Sequence, residues 1–207
     1  MTQPGYDALA DLYSETFPSA YQTALERHTI AAFAELVGDG PAEGVVVDVG
    51  CGLGGITADL TARGLEVIGV DPSRGMLDIA RRDHPHLEFA CDDALLGSVD
   101  FDGRPVRAIL ARYSLIHVPP ADVPAVLARW AALTGPGALV AVAGQSTDTP
   151  GEIVEFDHVV RRAWRWHPDA LARALADAGF DEEWRMTSRP DVLHRFPDVH
   201  LVARRRP

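Results

Sequence analysis

The stretch Val47-Asp48-Val49-Gly50-Cys51-Gly52-Leu53-Gly54-Gly55 sets three alternating glycines two residues after an acid. Glycine has no Cβ, so such a run permits a tight turn and a close approach of backbone to ligand. The first N–H groups of a following helix stay free to meet that ligand. Asp71 stands 21 residues after Gly50, at the end of the next apolar run. A carboxylate there can accept hydrogen bonds from both hydroxyls of a ribose, and the pairing selects an adenosine-type ligand. A glycine turn that serves only helix-strand packing has the same local sequence; the acid at the next strand tip favours ligand binding. Gly50, Gly52 and Gly55 also spell G-x-G-x-x-G, so an NAD(P) site competes at this point.

These residues need a sheet to carry them. Val45–Val49 is a β-branched run suited to a strand buried on both faces, and Gly38–Gly44, with Pro41, reads as the turn before it. A helix over Ile56–Arg63, ended by Gly64, and a strand over Glu66–Val70 complete a βαβ unit of the expected length. The alternation continues with a helix at Arg74–Asp83, strands at Leu87–Ala90 and Ala108–Ala111, and a helix at Ala121–Leu133. Gly135-Pro136-Gly137 turns into a strand at Ala138–Ala143, and Gln145–Glu152 reads as a loop at its carboxyl end. A helix at Pro168–Ala178 and strands at Trp184–Thr187 and Val199–Ala203 follow. Ahead of the sheet, apolar spacing from Tyr6 to Val37 gives two helices broken at Pro18. The expectation is an α/β fold: a doubly wound, Rossmann-like, seven-stranded and mostly parallel sheet with helices on both faces and an N-terminal helical lid.

Further segments share the order of a known family. Gly69-Val70-Asp71-Pro72-Ser73-Arg74-Gly75-Met76-Leu77 follows the glycine motif, then Phe89-Ala90-Cys91-Asp92-Asp93-Ala94, then Tyr113-Ser114-Leu115-Ile116-His117-Val118-Pro119-Pro120, then Leu133-Thr134-Gly135-Pro136-Gly137. In this order they resemble the class I S-adenosylmethionine-dependent methyltransferases of small-molecule type, over about residues 6 to 205. Two positions depart from the family pattern: Gly135-Pro136-Gly137 permutes Pro-Gly-Gly, and Asp92 stands where Gly is usual. The resemblance implies S-adenosylmethionine as cofactor, S-adenosylhomocysteine as product and a single domain. That domain comprises a lid (residues 1–38), a cofactor-binding core (44–144) and a substrate-side loop with the C-terminal strands (145–207). Cofactor contacts are implied for Tyr13, Asp48, Gly50, Cys51, Gly52, Gly54, Asp71, Pro72, Met76, Asp92, Asp93, Ala94 and Arg112. Tyr13 comes from Tyr6-Asp7-Ala8-Leu9-Ala10-Asp11-Leu12-Tyr13, which is similar to the family's lid helix; simple amphipathic packing fits it equally. Tyr113, His117, Gln145 and His158 are the implied substrate side.

Methyl transfer from a sulfonium is an in-line displacement, so alignment and exclusion of water are the enzyme's main tasks. An acceptor that must lose a proton needs a base, and His117, just after the fourth strand, is the leading position, with His158 behind it. A capping or hydrogen-bonded structural histidine fits His117 as well. Phe156 and the Trp residues at 164, 166 and 184 suit an aromatic pocket or plain core, and Arg161, Arg162 and Arg165 suit an acidic acceptor or a solvated helix face.

Composition narrows the alternatives. All 19 basic residues are Arg, so Schiff-base chemistry and the Walker lysine are closed. The same absence removes the Tyr-x-x-x-Lys proton donor of many NAD(P)-dependent oxidoreductases. A protein that binds S-adenosylmethionine without methylating, such as a cyclase or a partner subunit, stays open. The formal charge of −11 opposes nucleic-acid partners, and Val118-Pro119-Pro120 lacks the polar residue that a nucleobase amino methylase carries ahead of its prolines. Cys51 and Cys91 form no metal set and read as buried free thiols. Met1–Ala10 shows no secretory signal, and no apolar run has membrane-spanning length, so a cytoplasmic monomer or homodimer acting on a small metabolite, in secondary metabolism, is the expectation.

Overall fold

The computed structural model describes residues 4–40, 43–192 and 194–207, so Met1–Gln3 and Pro41, read above as part of the N-terminus and of the first turn, lie outside the described residues. In chain order the elements are α1 (Pro4–Thr16), α2 (Ala24–Gly38), β1 (Val45–Val49), α3 (Gly55–Ala62), β2 (Val67–Val70), α4 (Arg74–Asp83), β3 (Glu88–Ala90) and β4 (Val106–Arg112). A single 3-10 turn (Leu115–His117) leads to α5 (Val123–Leu133), β5 (Thr134–Gln145), β6 (Ile153–Phe156), β7 (Ala163–Trp166), α6 (Pro168–Asp177), β8 (Phe180–Thr187) and β9 (Asp198–Arg205).

Seven strands form one sheet in the order β3-β2-β1-β4-β5-β9-β8. The first five are parallel, and β9 runs antiparallel to both of its neighbours. Strand residues alternate between two cores. Val45, Val47, Val49, Ile109 and Val140 face α5 and α6, packing on Leu127, Trp130 and Leu175. Val46, Ala108, Leu110 and Ala141 face α2 and α3, packing on Phe33, Ile30 and Leu60. Burial on both faces is why β1 reads as an unbroken β-branched run. Each fully buried side chain of Leu or Phe size is worth about 2–3 kcal/mol of apolar transfer.

Chain order reverses between β1 and β4, and a crevice opens at their carboxyl ends. Local chemistry fixes the elements around it. Thr23 caps α2 by accepting from the Glu26 N–H, and Ser73 caps α4 by accepting from the Met76 N–H. Gly54, at φ +78°, supplies the left-handed residue that starts α3.

Four features correct or settle the sequence reading. Residues 153–166 form a two-stranded antiparallel hairpin, β6 and β7, where a helix face was read for Arg161, Arg162 and Arg165. Trp164 and Trp166 belong to the α5/α6-side core, and Trp184 packs beside the opposite one, so these indoles are core residues and do not line the cavity that Gly50 and Asp71 border. Gly135-Pro136-Gly137 is an exposed bulge inside β5: Thr134 pairs with Val106 and Leu139 with Ala108. Cys51 is buried as expected, but Cys91, just past the edge strand β3, is exposed.

Asp48 sits in the middle of this packing. Its carboxylate is buried and accepts a 2.7 Å hydrogen bond from the Thr57 hydroxyl, tying β1 to α3. Burial raises its pKa to about 6. A native pKa above the unfolded one means that stability is full at low pH and is lost as pH rises through about 6, by roughly 3 kcal/mol at most. Asp48→Asn keeps an oxygen acceptor for Thr57 and removes the buried charge. Denaturant unfolding is expected to show the variant gaining on the parent between pH 4.5 and 7.5, and a parent that gains instead would refute the burial argument.

Candidate active site

Gly50 and Gly52 follow β1 with φ of +76° and +53°. At Gly52 the conformation alone demands glycine, because the space for a Cβ is open. At Gly50 the space is also taken: a Cβ would lie 2.3 Å from the Cβ of Ser114. Ser114 comes this close because Tyr113 adopts a left-handed φ of +53° and donates its N–H to Ala143, turning the chain sharply off β4. The two strand tips that flank the crevice are thereby pressed together.

Asp71 closes the other side. One carboxylate oxygen accepts from the Gly52 N–H at 2.9 Å and the other from the Ser73 N–H at 2.8 Å. Burial raises its pKa to about 6, so it is mainly ionised at neutral pH, and each oxygen retains a lone pair for an incoming hydroxyl.

A cavity of about 330 Å³ opens from this point. Gly50, Asp71, Pro72, Asp92, Asp93, Ala94, Tyr113 and His117, all named among the expected cofactor or substrate positions, line it. Asp92 accepts from the N–H groups of Asp93 and Ser98, which fixes the loop after β3. The Ala94 carbonyl is held by the Trp130 indole N–H at 2.8 Å. Among the described residues the buried Ser114 hydroxyl, packed toward Gly50, has no hydrogen-bond partner. A Cβ-free turn and a carboxylate with spare lone pairs together fit an adenosyl ligand.

Opposite these groups lies the buried His117. The Arg162 carbonyl, 3.0 Å from Nδ1, can only accept, which places the proton on Nδ1. Nε2 of the neutral ring therefore holds a lone pair, and it accepts from the Tyr6 hydroxyl at 2.9 Å. Burial first, then the nearby His158 and Arg161, lowers the pKa of His117 to about 4, so the ring is neutral at pH 7. Asp7, the next residue on α1, accepts from the Ser73 hydroxyl and the Gly75 N–H. Helix α1 is thus pinned to both sides of the cavity.

Nine expected positions lie off this wall. Asp48 serves the β1 and α3 contact, while Cys51, Gly52 and Gly54 shape the turn from behind. Met76 is buried with Ala10, Ile79 and Leu53. Tyr13 packs on Tyr6 and Phe17; it is Tyr6, two helical turns earlier on the same face, that reaches the cavity. Arg112 points away to Glu26, at 2.6 Å, and to the Ala20 carbonyl, bracing the segment between α1 and α2. Gln145 lines a separate small hollow beside Ile116 and Trp166. His158 stands behind His117, ring centroids 4.8 Å apart, and its Nδ1 accepts from the Val160 N–H. The sequence reading missed Ser114 and Asp122 on the wall, and assigned Tyr6 no role there. The i, i+7 spacing of Tyr6 and Tyr13 was the available signal.

Residues 46–137 match the family described as a methyltransferase domain. Trans-aconitate 2-methyltransferase of Methylobacterium radiotolerans is 35% identical over 70% of this chain and 54% of its own length. The chain thus spans about half of that curated relative, and 22% of a longer bifunctional one. Among solved structures, a 1,6-didemethyltoxoflavin N1-methyltransferase of Burkholderia thailandensis, crystallised with S-adenosylhomocysteine, superposes with a TM-score of 0.77 at 21% identity, over 99% of this chain and 87% of that one. The [4+2]-cyclase SpnF superposes at 0.75 and 16% identity, over 100% and 96% of the two chains, so the fold by itself does not fix the chemistry. The glycine turn, the Asp71 position, the strand order and these likenesses together support a class I S-adenosylmethionine-dependent methyltransferase.

The Asp71 assignment has a direct check. Asp71→Asn keeps one oxygen acceptor but loses the charge and half of the accepting capacity, and titration calorimetry is expected to show S-adenosylhomocysteine binding weakened at least tenfold. An affinity within twofold of the parent would remove Asp71 from the ribose site.

Proposed function

We propose that this chain transfers the methyl group of S-adenosylmethionine to a small organic acceptor seated in the cavity beside Tyr6 and His117. The carrying observation is the opposition across one cavity of an adenosyl-binding edge, Gly50 and Asp71, and a histidine whose proton is fixed on the far nitrogen. The bound cofactor supplies an electrophilic methyl on a sulfonium.

The protein's own groups do the rest. Gly50 and Asp71 hold the nucleoside end, and Asp92, Asp93 and Ala94 border the adenine side. Helix α1 covers the cavity as a lid and keeps water away. Nε2 of His117 holds the Tyr6 hydroxyl, whose oxygen faces the acceptor's nucleophilic atom; an acceptor that carries an acidic proton can pass it to the Tyr6 oxygen as Tyr6 hands its own proton to Nε2. The trans-aconitate and toxoflavin-precursor relatives act on small molecules by their names, which supports an acceptor of that size.

Calorimetry with S-adenosylhomocysteine, with NAD and NADP in parallel, is the test of the cofactor. Micromolar binding of S-adenosylhomocysteine alone is expected; binding of a nicotinamide cofactor in its place would overturn the proposal. S-adenosylhomocysteine released in step with product separates methyl transfer from a reaction that leaves the cofactor intact.

His117→Gln retains a side chain able to meet the Arg162 carbonyl but not the paired geometry with Tyr6. Turnover is expected to fall at least tenfold with S-adenosylhomocysteine affinity unchanged. Because His117 titrates near pH 4, its protonation leaves the parent's turnover level from pH 6 to 8. An NMR titration that finds the His117 ring protonating between pH 6 and 7, the ordinary histidine range, would contradict the neutral buried ring, and it separates His117 from Asp71, which titrates near 6.

A further inference from the structure

The walls of the cavity carry charges of both signs. Asp71, Asp92, Asp93 and Asp122 line it with carboxylates, suited to a ligand bearing a sulfonium and an ammonium. Arg161 is the one cationic side chain among the described residues that line it. It sits in the connection between β6 and β7, next to Arg162, whose carbonyl holds His117. Its charge is felt at both His117 and Tyr6.

Arg161 combines a place on the cavity wall with the lack of an acidic partner among the described residues. Its neighbours are matched: Arg162 pairs with Glu155 at 2.6 Å, and Arg165 stacks on Phe196 at 3.8 Å and donates to the Ser146 carbonyl. Among the described residues no ion pair involves Arg161, although it is half-buried on a cavity wall in a protein of net charge −11. A planar guanidinium held this way is a ready bidentate partner for a carboxylate.

We infer that the acceptor is a small carboxylic acid, docked as its anion on Arg161; this rests on the methyl-transfer reading above. The docking places the acceptor beside the Tyr6 hydroxyl that His117 holds, between the hairpin and α1. The electrostatics agree. A histidine that titrates near pH 4 is a weak base, and a neighbouring guanidinium further disfavours its protonated form. Such a site handles an acceptor that arrives ionised or readily ionisable better than a plain alcohol.

The test uses the full chain saturated with S-adenosylhomocysteine and titrated calorimetrically with benzoate, phenylacetate, malonate and citrate, and with the amide of each. At least one acid is expected to bind with submillimolar affinity, and its amide at least tenfold more weakly. Arg161→Ala should lose the acid by tenfold or more and Arg161→Lys should recover part of it, with S-adenosylhomocysteine affinity within twofold of the parent in both. Amides that bind as well as acids, acids that bind Arg161→Ala normally, or no binding by any acid would each overturn the inference. So would weaker S-adenosylhomocysteine binding in Arg161→Ala, which assigns the guanidinium to the cofactor's own carboxylate. Failure of the parent to bind S-adenosylhomocysteine at all is a different result and sinks the methyl-transfer reading instead.

Discussion

Asp71 uses its two carboxylate oxygens to draw the backbone of Gly52 and the backbone of Ser73 onto the tip of β2. Everything at the carboxyl edge of the sheet depends on that double attachment. It holds the glycine turn after β1 against the first residues of α4, and Ser73 in turn caps α4 and binds Asp7 of α1. A buried carboxylate is expensive unless it is hydrogen-bonded, and here two N–H donors supply the compensation. Its pKa is still raised, because burial outweighs them. The residue is therefore tolerated as an anion while part of its accepting capacity remains for a ligand.

A second constraint lies across the crevice. Tyr113 holds a left-handed conformation that costs of order 1 kcal/mol in a residue with a Cβ. That turn carries Ser114 against Gly50 and starts the short helical turn that delivers His117. The need for glycine at position 50 is thus a property of the protein's own packing as well as of the ligand. Neither partner of the contact can be enlarged without parting β1 from β4.

Much of this was legible before any coordinates. β1, α4 and the Gly50 turn stand where the β-branched run, the helix read over Arg74–Asp83 and the glycines put them, because each is fixed by local rules acting on adjacent residues. The contacts that decide function were less so. Nothing local distinguishes Asp48 from a ligand-binding acid; only the distance to Thr57 does. Arg112 reads as a residue at a strand's carboxyl end, and its pairing with Glu26 spans 86 positions of sequence. The hairpin at 153–166 escaped because its strands are four residues each, and because the run of Arg and Trp from 161 to 166 suits a helix face when the burial of Trp164 and Trp166 is unknown. Tyr6 and Tyr13 share a helix face, and only the position of α1 over the crevice separates the one that lines it from the one that packs behind.

The placement of α1 joins the two ends of the site. Asp7 grips the start of α4, where the nucleoside edge begins, and Tyr6 grips His117 on the acceptor side. Adjacent helix residues point in different directions, so one turn of helix can hold two walls that face each other. Lifting α1 must break both attachments together, which exposes the cavity and takes the Tyr6 hydroxyl from Nε2 in the same motion. The geometry thereby couples access to the site with the hydrogen-bonding state of its histidine, and a closed helix leaves His117 neutral, oriented and shielded from water.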